Sequence, residues 1–282
     1  MLTAHSEQRC FGGVQGFYEH ASEACAGPMR VGVFLPPQAL AGARVPAVYF
    51  LAGLTCTEET FALKAGAQRV AAALGLALIT PDTSPRTHRV AGDDASWDFG
   101  LGAGFYLDAT QAPWSAAYRM ERYVTQELVA LVEAQLPIAR DRRGVFGHSM
   151  GGHGALTLAL RHPGLYRSVS ALAPIVAPSE VPWGHKAFAG YLGDDRDAWR
   201  AHDATALLAA GGRLPGEVLV DQGLDDKFLA RELQPERLER VCAEVGQPVT
   251  VRRHAGYDHS YFFVMSFVED HLRLHARALH AG

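Results

Sequence analysis

Short apolar runs alternate with longer amphipathic segments along most of the chain. Runs that end near Pro or Gly are typical of β-strands, and they predict strands at Arg30–Leu35, Val45–Leu51, Leu76–Thr80, Gly144–Phe146, Ser168–Leu172, Glu217–Asp221 and Val249–His254. The Val45–Leu51 run is almost wholly apolar, as expected for a strand that is buried on both faces. This alternation predicts an α/β fold, with a mostly parallel sheet and helices on both of its faces.

The segments between these runs have a helical hydrophobic period. They predict helices at Glu58–Leu74, Ala116–Gln135, Met150–Arg161, Pro235–Glu244 and Tyr261–Leu279. Gly75 follows the first of them at a position that suits a helix C-cap, and Pro137 lies just beyond the second.

The stretch at about 81–115 shows little periodicity. It is rich in Pro, Gly and Asp, and it contains five clustered aromatic residues, namely Trp97, Phe99, Phe105, Tyr106 and Trp114. A long stretch without regular structure inside a compact domain is often a lid or a binding loop. We therefore predict a single domain of residues 1–282 with an irregular binding loop at about 81–115.

Composition places the chain among ordinary globular proteins. It has 282 residues, of which 48% are apolar and 20% charged, and its formal net charge is −4. The acidic balance argues against nucleic-acid and anionic-membrane partners.

The sequence contains no run near the roughly 18 apolar residues of a membrane span and no apolar signal core at its start, which predicts a cytoplasmic location. Cys10, Cys25, Cys56 and Cys242 show no C-x-x-C spacing and are expected to be reduced thiols.

The most informative motif is Gly147-His148-Ser149-Met150-Gly151, which matches G-x-S-x-G. It lies between a predicted strand and a predicted helix, which is the setting that this motif requires for a nucleophilic serine. Glycines are needed on either side because the serine occupies a tight turn where side chains would collide with the backbone. The sequence therefore predicts Ser149 as a catalytic nucleophile.

A serine hydroxyl needs a base to activate it and an acid to orient that base. In folds with this motif the chain order is serine, then Asp or Glu, then histidine, each at the carboxyl end of a strand. Asp226 follows the predicted strand Glu217–Asp221, and His259 follows the predicted strand Val249–His254. These positions predict Ser149, Asp226 and His259 as the catalytic residues.

Three neighbours offer alternatives. Asp225 is the other candidate acid, but Asp226 lies three residues after Gly223, where the loop is expected to turn back over the sheet edge. Asp258 adjoins the histidine and is interpreted as a turn or capping residue. His148 is the rival base, although its position in the turn is expected to direct it away from the serine hydroxyl.

Two backbone N–H groups are expected to form an oxyanion hole. One belongs to Met150, the residue after the nucleophile. The other is expected in the loop after the strand Val45–Leu51, where Gly53 would allow a close approach and Leu54 would donate.

Other motifs carry less weight. His271 and His275 have helical spacing, but without an H-E-x-x-H pattern they are interpreted as a solvated helix face rather than a metal site. No G-x-G-x-x-G or Walker lysine supports nucleotide binding, so neither a cofactor nor a metal is predicted.

Seven stretches carry a resemblance to a known family, and they follow the family's order. They are Leu51–Glu58 (LAGLTCTE), Lys64–Arg69 (KAGAQR), Ser96–Thr110 (SWDFGLGAGFYLDAT), Gly147–Leu156 (GHSMGGHGAL), Lys186–Gly193 (KAFAGYLG), Asp221–Leu229 (DQGLDDKFL) and Gly256–Phe263 (GYDHSYFF). Over almost its whole length the chain resembles the S-formylglutathione hydrolases of the esterase D group.

The resemblance implies a single α/β-hydrolase domain that hydrolyses S-formylglutathione to glutathione and formate through a formyl-serine, as in formaldehyde detoxification. It implies no cofactor, a cytosolic location and often a homodimer. The catalytic residues and the two oxyanion donors that it implies are those given above. It also implies that Cys56 lies near the active site and makes the enzyme sensitive to thiol reagents. A general short-chain carboxylesterase or an acyltransferase on the same fold is the alternative.

The expected substrate pocket comprises Cys56, Trp97, His148 and Trp183. The aromatic stretch around Trp97–Tyr106 is expected to narrow it in favour of short acyl groups. Glutathione carries two carboxylates, so a cation is expected near the mouth of the pocket, and the candidates are Lys64, Arg86, Lys186 and Lys227.

Overall fold

A nine-stranded sheet forms the centre of the molecule in a computed structural model that describes residues 1–281. The strands are β1 (Thr3–Cys10), β2 (Gly13–Ser22), β3 (Gly27–Leu35), β4 (Val45–Leu51), β5 (Ala77–Pro81), β6 (Ile138–His148), β7 (Ser168–Leu172), β8 (Val218–Gly223) and β9 (Val249–His254). Their spatial order is β1-β2-β3-β5-β4-β6-β7-β8-β9. The six strands from β5 to β9 are parallel, and β1 to β3 form an antiparallel edge. The predicted mostly parallel sheet is therefore confirmed.

Helices cover both faces of this sheet, as predicted. The α-helices are α1 (Pro37–Leu40), α2 (Glu58–Lys64), α3 (Gln68–Leu74), α4 (Met120–Arg122), α5 (Leu128–Gln135), α6 (Met150–Arg161), α7 (Pro182–Leu192), α8 (Arg196–Arg200), α9 (Ala204–Ala209), α10 (Pro235–Val245) and α11 (Tyr261–His280). Alternate residues of β6 face different helices. A Cβ on Gly144 would meet His275 of α11, whereas one on Gly147 would meet the carbonyl oxygen of Gly151 in α6.

Two helix predictions were wrong in extent. The segment Glu58–Leu74 forms two helices rather than one, because Gly66 adopts a φ of +64°, a left-handed conformation that ends a helical path. The helix expected from Ala116 begins only at Met120 and continues through a π-helical segment, Tyr123–Glu127, into α5. The sequence prediction also missed α7, α8 and α9, all between β7 and β8.

The segment between β5 and the short 3-10 helix Trp114–Ala116 consists of turns and isolated bridges. Two of its aromatic side chains, Phe105 and Tyr106, are buried in the core, as is Trp114 at its end. The Tyr106 hydroxyl donates a hydrogen bond of 2.8 Å to the carbonyl of Ala52. The segment is thus anchored beside the sheet by Phe105 and Tyr106, which belong to the aromatic stretch predicted to narrow the pocket.

The chain order reverses direction at the centre of the sheet, because β5 lies on one side of β4 and β6 on the other. Loops that follow β4 and β6 therefore diverge and leave a crevice at the carboxyl edge, which is where α/β folds bind ligands. Within residues 1–281, no helix is both long and apolar enough to cross a membrane.

Candidate active site

Ser149 lies in the turn between β6 and α6, with a φ of 58° and a ψ of −119°. A positive φ is strained for a residue with a Cβ, and such strain is tolerated where the surroundings fix the backbone. Side chains could not replace the neighbouring glycines, because a Cβ on Gly151 would lie 1.8 Å from the Leu51 carbonyl oxygen and one on Gly147 would lie 2.2 Å from that of Gly151. The sequence thus forces this turn and holds the serine at the crevice.

The structure brings Asp226, not Asp225, to His259. The Asp226 Oδ2 atom lies 2.5 Å from His259 Nδ1. Its Oδ1 atom accepts a hydrogen bond of 2.8 Å from the backbone N–H of Phe228, which fixes the carboxylate in the loop after β8. Asp225 is exposed. Asp258 accepts a hydrogen bond of 2.9 Å from the N–H of Ser260, which makes it a turn residue just before Ser260, the N-cap of α11.

A small cavity of about 210 Å³ joins the serine to the histidine. Its lining residues are Gly53, Leu54, Cys56, Trp97, His148, Ser149, Trp183, Phe228, His259, Ser260 and Tyr261. Within residues 1–281 the Ser149 hydroxyl makes no hydrogen bond to His259, and contacts of this kind are often longer before a substrate binds. The cavity therefore contains a hydroxyl, an imidazole and a carboxylate behind it.

Two backbone N–H groups border the serine. Met150 is the first residue of α6, so its N–H has no helical carbonyl to pair with. The amides after Leu54 are engaged, since Thr55 donates to Gly102 at 2.9 Å and Cys56 to Gly53 at 3.3 Å. The Leu54 N–H has no acceptor among residues 1–281. A Cβ on Gly53 would lie 3.2 Å from the Ser149 Cβ, so glycine permits the close approach.

His148 packs against the candidate base instead of replacing it. The centroids of the His148 and His259 rings are 4.4 Å apart, and Tyr261 packs edge-on against His148. Burial, and to a lesser extent His259, lowers the pKa of His148 well below its usual value. His148 is therefore neutral at pH 7, and its side-chain nitrogens have no hydrogen-bond partner within residues 1–281.

Aromatic side chains form one wall of the cavity. Trp97 packs edge-on against Trp183 at a centroid distance of 5.7 Å, and Trp183 packs on Phe228 at 4.6 Å. Phe228 in turn lies 5.1 Å from the His259 ring. This wall makes the region around the base apolar, which strengthens electrostatic interactions inside the cavity.

Cys56 lies in the loop between β4 and α2 and borders the same cavity. Burial raises the pKa of its thiol, and hydrogen bonding to Tyr261 only partly opposes that effect. The thiol is therefore mostly protonated at pH 7 and reacts slowly. Cys10, Cys25 and Cys242 are also free thiols, as expected.

The structure brings together every residue that was predicted for the catalytic set, the oxyanion donors and the pocket. Sequence reasoning placed Gly53 at the oxyanion hole but missed three other lining residues, Phe228, Ser260 and Tyr261. These three residues lie in the stretches DQGLDDKFL and GYDHSYFF, so their closeness to Asp226 and His259 along the chain was an available signal.

Two interpretations of side-chain environment were wrong. Of the aromatic residues around Trp97–Tyr106, only Trp97 lines the cavity, since the others pack into the core or against α7. His271 and His275 do not form a solvated face, because both are fully buried. Their ring nitrogens are instead satisfied by Ser168, Ser170 and Asp221.

The sheet order, the strained serine turn and the carboxylate–histidine pair beside it define an α/β-hydrolase. The solved structure of an S-formylglutathione hydrolase from Agrobacterium tumefaciens superimposes with a TM-score of 0.96 at 45% identity, covering 98% of this chain and 99% of that one. The esterase family model, described as "Putative esterase", matches residues 22–274. The chain belongs to the S-formylglutathione hydrolase family of esterases.

Curated relatives carry the same name. The S-formylglutathione hydrolase of Paracoccus denitrificans (strain Pd 1222) is 56% identical over 274 residues, which are 97% of each chain. That of Mus musculus is 52% identical over 277 residues, which are 98% of each chain.

Proposed function

We propose that this protein hydrolyses S-formylglutathione to glutathione and formate through a formyl-serine intermediate. The observation that carries the proposal is the Asp226–His259 pair, whose histidine lines the same small cavity as the strained Ser149. The names of relatives that align over nearly the full chain support the substrate. We call Ser149, His259 and Asp226 the site triad.

Acylation begins when the Ser149 oxygen attacks the thioester carbonyl carbon and His259 accepts the hydroxyl proton. Asp226 holds the imidazole in the tautomer that leaves Nε2 free and stabilises the imidazolium that forms. The N–H groups of Leu54 and Met150 stabilise the oxyanion of the tetrahedral intermediate, and each such donor contributes about 3–4 kcal/mol to the transition state. The carbon–sulfur bond then breaks, and the thiol leaves with the proton from His259.

Deacylation repeats these steps with water as the nucleophile. His259 removes a proton from water, the resulting hydroxide attacks the formyl-serine, and collapse of the intermediate releases formate and restores the Ser149 hydroxyl. The cavity volume of about 210 Å³ suits a short acyl group.

We further propose that the chain acts as one catalytic domain in which the loop at about 81–115 contributes Trp97 to substrate binding. A cytoplasmic location agrees with the four free thiols. A homodimer is proposed on the family resemblance alone, and sedimentation equilibrium tests it: a monomeric mass would exclude it.

Turnover of S-formylglutathione, compared with 4-nitrophenyl acetate, tests the proposed function. We expect kcat/KM for the thioester to exceed that for the ester and formate to form in equal amount to thiol. A preference for the aryl ester would indicate a general carboxylesterase. Transfer of the formyl group to an added alcohol in preference to water would indicate an acyltransferase.

A further inference from the structure

A second groove, of about 490 Å³, continues from the cavity at Ser149. The two spaces share the side chains of Trp97, Trp183 and Phe228. The other residues of the second groove are Asp98, Pro182, Lys186, Lys227, Arg231 and Glu232, and we call it the charged groove. A group bound to the acyl carbon at Ser149 can therefore extend directly into it.

The two carboxylates of the charged groove are already engaged. Asp98 forms an ion pair with Lys186. The buried Glu232 accepts a hydrogen bond of 2.9 Å from the backbone N–H of Trp183, and burial raises the pKa of its carboxyl.

Two cations of the charged groove remain available. Lys227 is exposed, with its ammonium 4.9 Å from the centroid of the Phe228 ring, and it has no carboxylate partner within residues 1–281. Arg231 has only a loose contact of 3.5 Å with Glu232, and its side chain is 77% exposed. Both cations can therefore bind anionic groups of a ligand without first breaking a strong ion pair within the protein.

A neighbouring groove has the opposite balance of charge, with more carboxylates than cations. Its lining residues are Asp225, Lys227, Phe228, Asp258, His259 and Ser260. Asp225 is exposed, and hydrogen bonds from Ser260 lower the pKa of Asp258. Two negative charges against one positive charge repel an anionic leaving group. Charge thus distinguishes between the two paths out of the cavity.

Two further cations that were candidates from the sequence lie elsewhere. Arg86 is bound to Asp82 at 2.8 Å and donates a hydrogen bond of 2.9 Å to the carbonyl of Cys56. Lys64 lies 5.9 Å from the centroid of the Tyr261 ring and does not line the charged groove.

We infer that the charged groove is the subsite for the glutathionyl part of the substrate, with Lys227 and Arg231 binding its carboxylates. This inference rests on the proposed function. Glutathione joined through sulfur carries two carboxylates, which match the two available cations of the charged groove. The indole rings of Trp97 and Trp183 provide flat apolar surfaces for the peptide backbone.

Binding of S-methylglutathione, a thioether that cannot be hydrolysed, tests this subsite by calorimetry. We expect Arg231→Ala to weaken binding about tenfold, as loss of one hydrogen bond between charged groups does. Arg231→Lys retains the charge and should restore most of the affinity. Arg240→Ala removes an exposed arginine outside the groove and is the matched control. The difference between Arg231→Ala and the unmodified protein should shrink in high salt.

A kinetic comparison separates this inference from the proposed function. The substrates are S-formylglutathione and the S-formyl thioester of uncharged N-acetylcysteamine. Arg231→Ala and Lys227→Ala should each lower the ratio of kcat/KM for the charged over the uncharged thioester, mainly through KM. An unchanged ratio, together with unchanged S-methylglutathione binding, would overturn the subsite while leaving the proposed function intact.

The converse result is also distinguishable. If the unmodified protein failed to hydrolyse S-formylglutathione but bound S-methylglutathione in an Arg231-dependent manner, the proposed function would fail and the subsite would remain. If Asp225→Asn weakened binding more than Arg231→Ala, the thiol would leave through the neighbouring groove, and the inference would be wrong.

Discussion

Two sets of serine, histidine and aspartate side chains lie close to the same sheet, but only in the site triad do the serine and the histidine line a cavity. In the other set, which we call the core set, His271 Nδ1 lies 2.7 Å from Ser170 Oγ and His271 Nε2 lies 3.0 Å from Asp221 Oδ2. All three residues of the core set are fully buried. By interatomic distance alone, the core set resembles a catalytic triad more closely than the site triad does.

Access and the surrounding donors account for the difference between the two sets. Ser170 lies in the middle of β7, where the backbone N–H groups bond to neighbouring strands and none is left for an oxyanion. Its hydroxyl also lies 3.0 Å from His275, and Asp221 is bound to Arg252 and His254 as well. A reactive serine therefore needs a path for the substrate and free N–H groups, in addition to a histidine within hydrogen-bond distance.

The largest expected effect is the loss of turnover in Ser149→Ala. Removing the nucleophile should lower kcat about 10⁶-fold, as in other serine hydrolases. The matched substitution in the core set, Ser170→Ala, should leave kcat within a few-fold, because this serine does not meet the substrate. Formate release measures both variants, and circular dichroism checks their folding. If a folded Ser149→Ala variant retained turnover, Ser149 would be excluded as the nucleophile.

The next largest effect is expected for the acid of the site triad. Asp226→Asn should lower kcat about 10⁴-fold, because the amide no longer holds the His259 tautomer that accepts the serine proton. Asp225→Asn should leave kcat nearly unchanged, since this exposed side chain does not contact His259. Steady-state kinetics on a neutral short ester compares them. Equal losses in both variants would contradict the assignment of Asp226.

Disrupting the core set should reduce stability instead of activity. Asp221→Asn leaves Arg252 without the charge that pairs with it and weakens the acceptor for His271, and breaking a buried ion pair costs about 3–5 kcal/mol. We expect a lower midpoint of urea denaturation, with kcat per folded molecule retained. A large fall in kcat without a fall in stability would show that the core set takes part in catalysis.

The sequence predicted the site better than it predicted the surrounding scaffold. The G-x-S-x-G turn and the buried strand of β4 depend on local steric and apolar patterns, which single residues reveal. In contrast, β1 is an edge strand whose residues are mostly exposed, so it has no apolar pattern to detect. The first half of β6 is also polar and largely unburied, so it has no apolar pattern either. Only Gly144–Phe146 was therefore predicted as a strand.

Environments that depend on tertiary packing could not be predicted. The i, i+4 spacing of His271 and His275 is the same on a solvated and on a buried helix face. The buried face becomes evident only from the hydrogen bonds to the serines of β7, which lie far away in the sequence. The choice of Trp97 over Phe105 as the pocket residue likewise depends on the path of the loop at about 81–115. Sequence patterns record local geometry, whereas these outcomes depend on contacts between distant segments.

The burial of His275 predicts that the stability of the folded protein decreases as the pH falls. Burial lowers the pKa of His275 from 6.5 to about 3 in the folded protein. Between these values the unfolded chain binds the proton and the folded chain does not, so stability decreases as the pH falls below about 6.5. Each pH unit costs about 1.4 kcal/mol for this residue.

The variant His275→Gln tests this pH dependence. Its amide can still bond to Ser168 or Ser170 but does not titrate, so its stability should vary less between pH 6.5 and pH 4. Urea denaturation at several pH values measures the slope. The slope does not vanish, because burial also lowers the pKa of His153 to about 4 and that of His202 to about 3. An identical slope in the variant and the unmodified protein would contradict the assignment to His275.

The smallest effect concerns how easily a reagent in solvent reaches the cavity beside the site triad, compared with the buried core. Cys56 borders the cavity beside the site triad, whereas Cys25 and Cys242 are buried. A thiol-blocking reagent should therefore inactivate the unmodified protein but not Cys56→Ser. Because burial raises the pKa of the Cys56 thiol, inactivation should be slow at pH 7 and accelerate as the pH rises and the thiolate forms. Equal inactivation of both proteins would show that the reagent acts elsewhere, and that the cavity is not the accessible region.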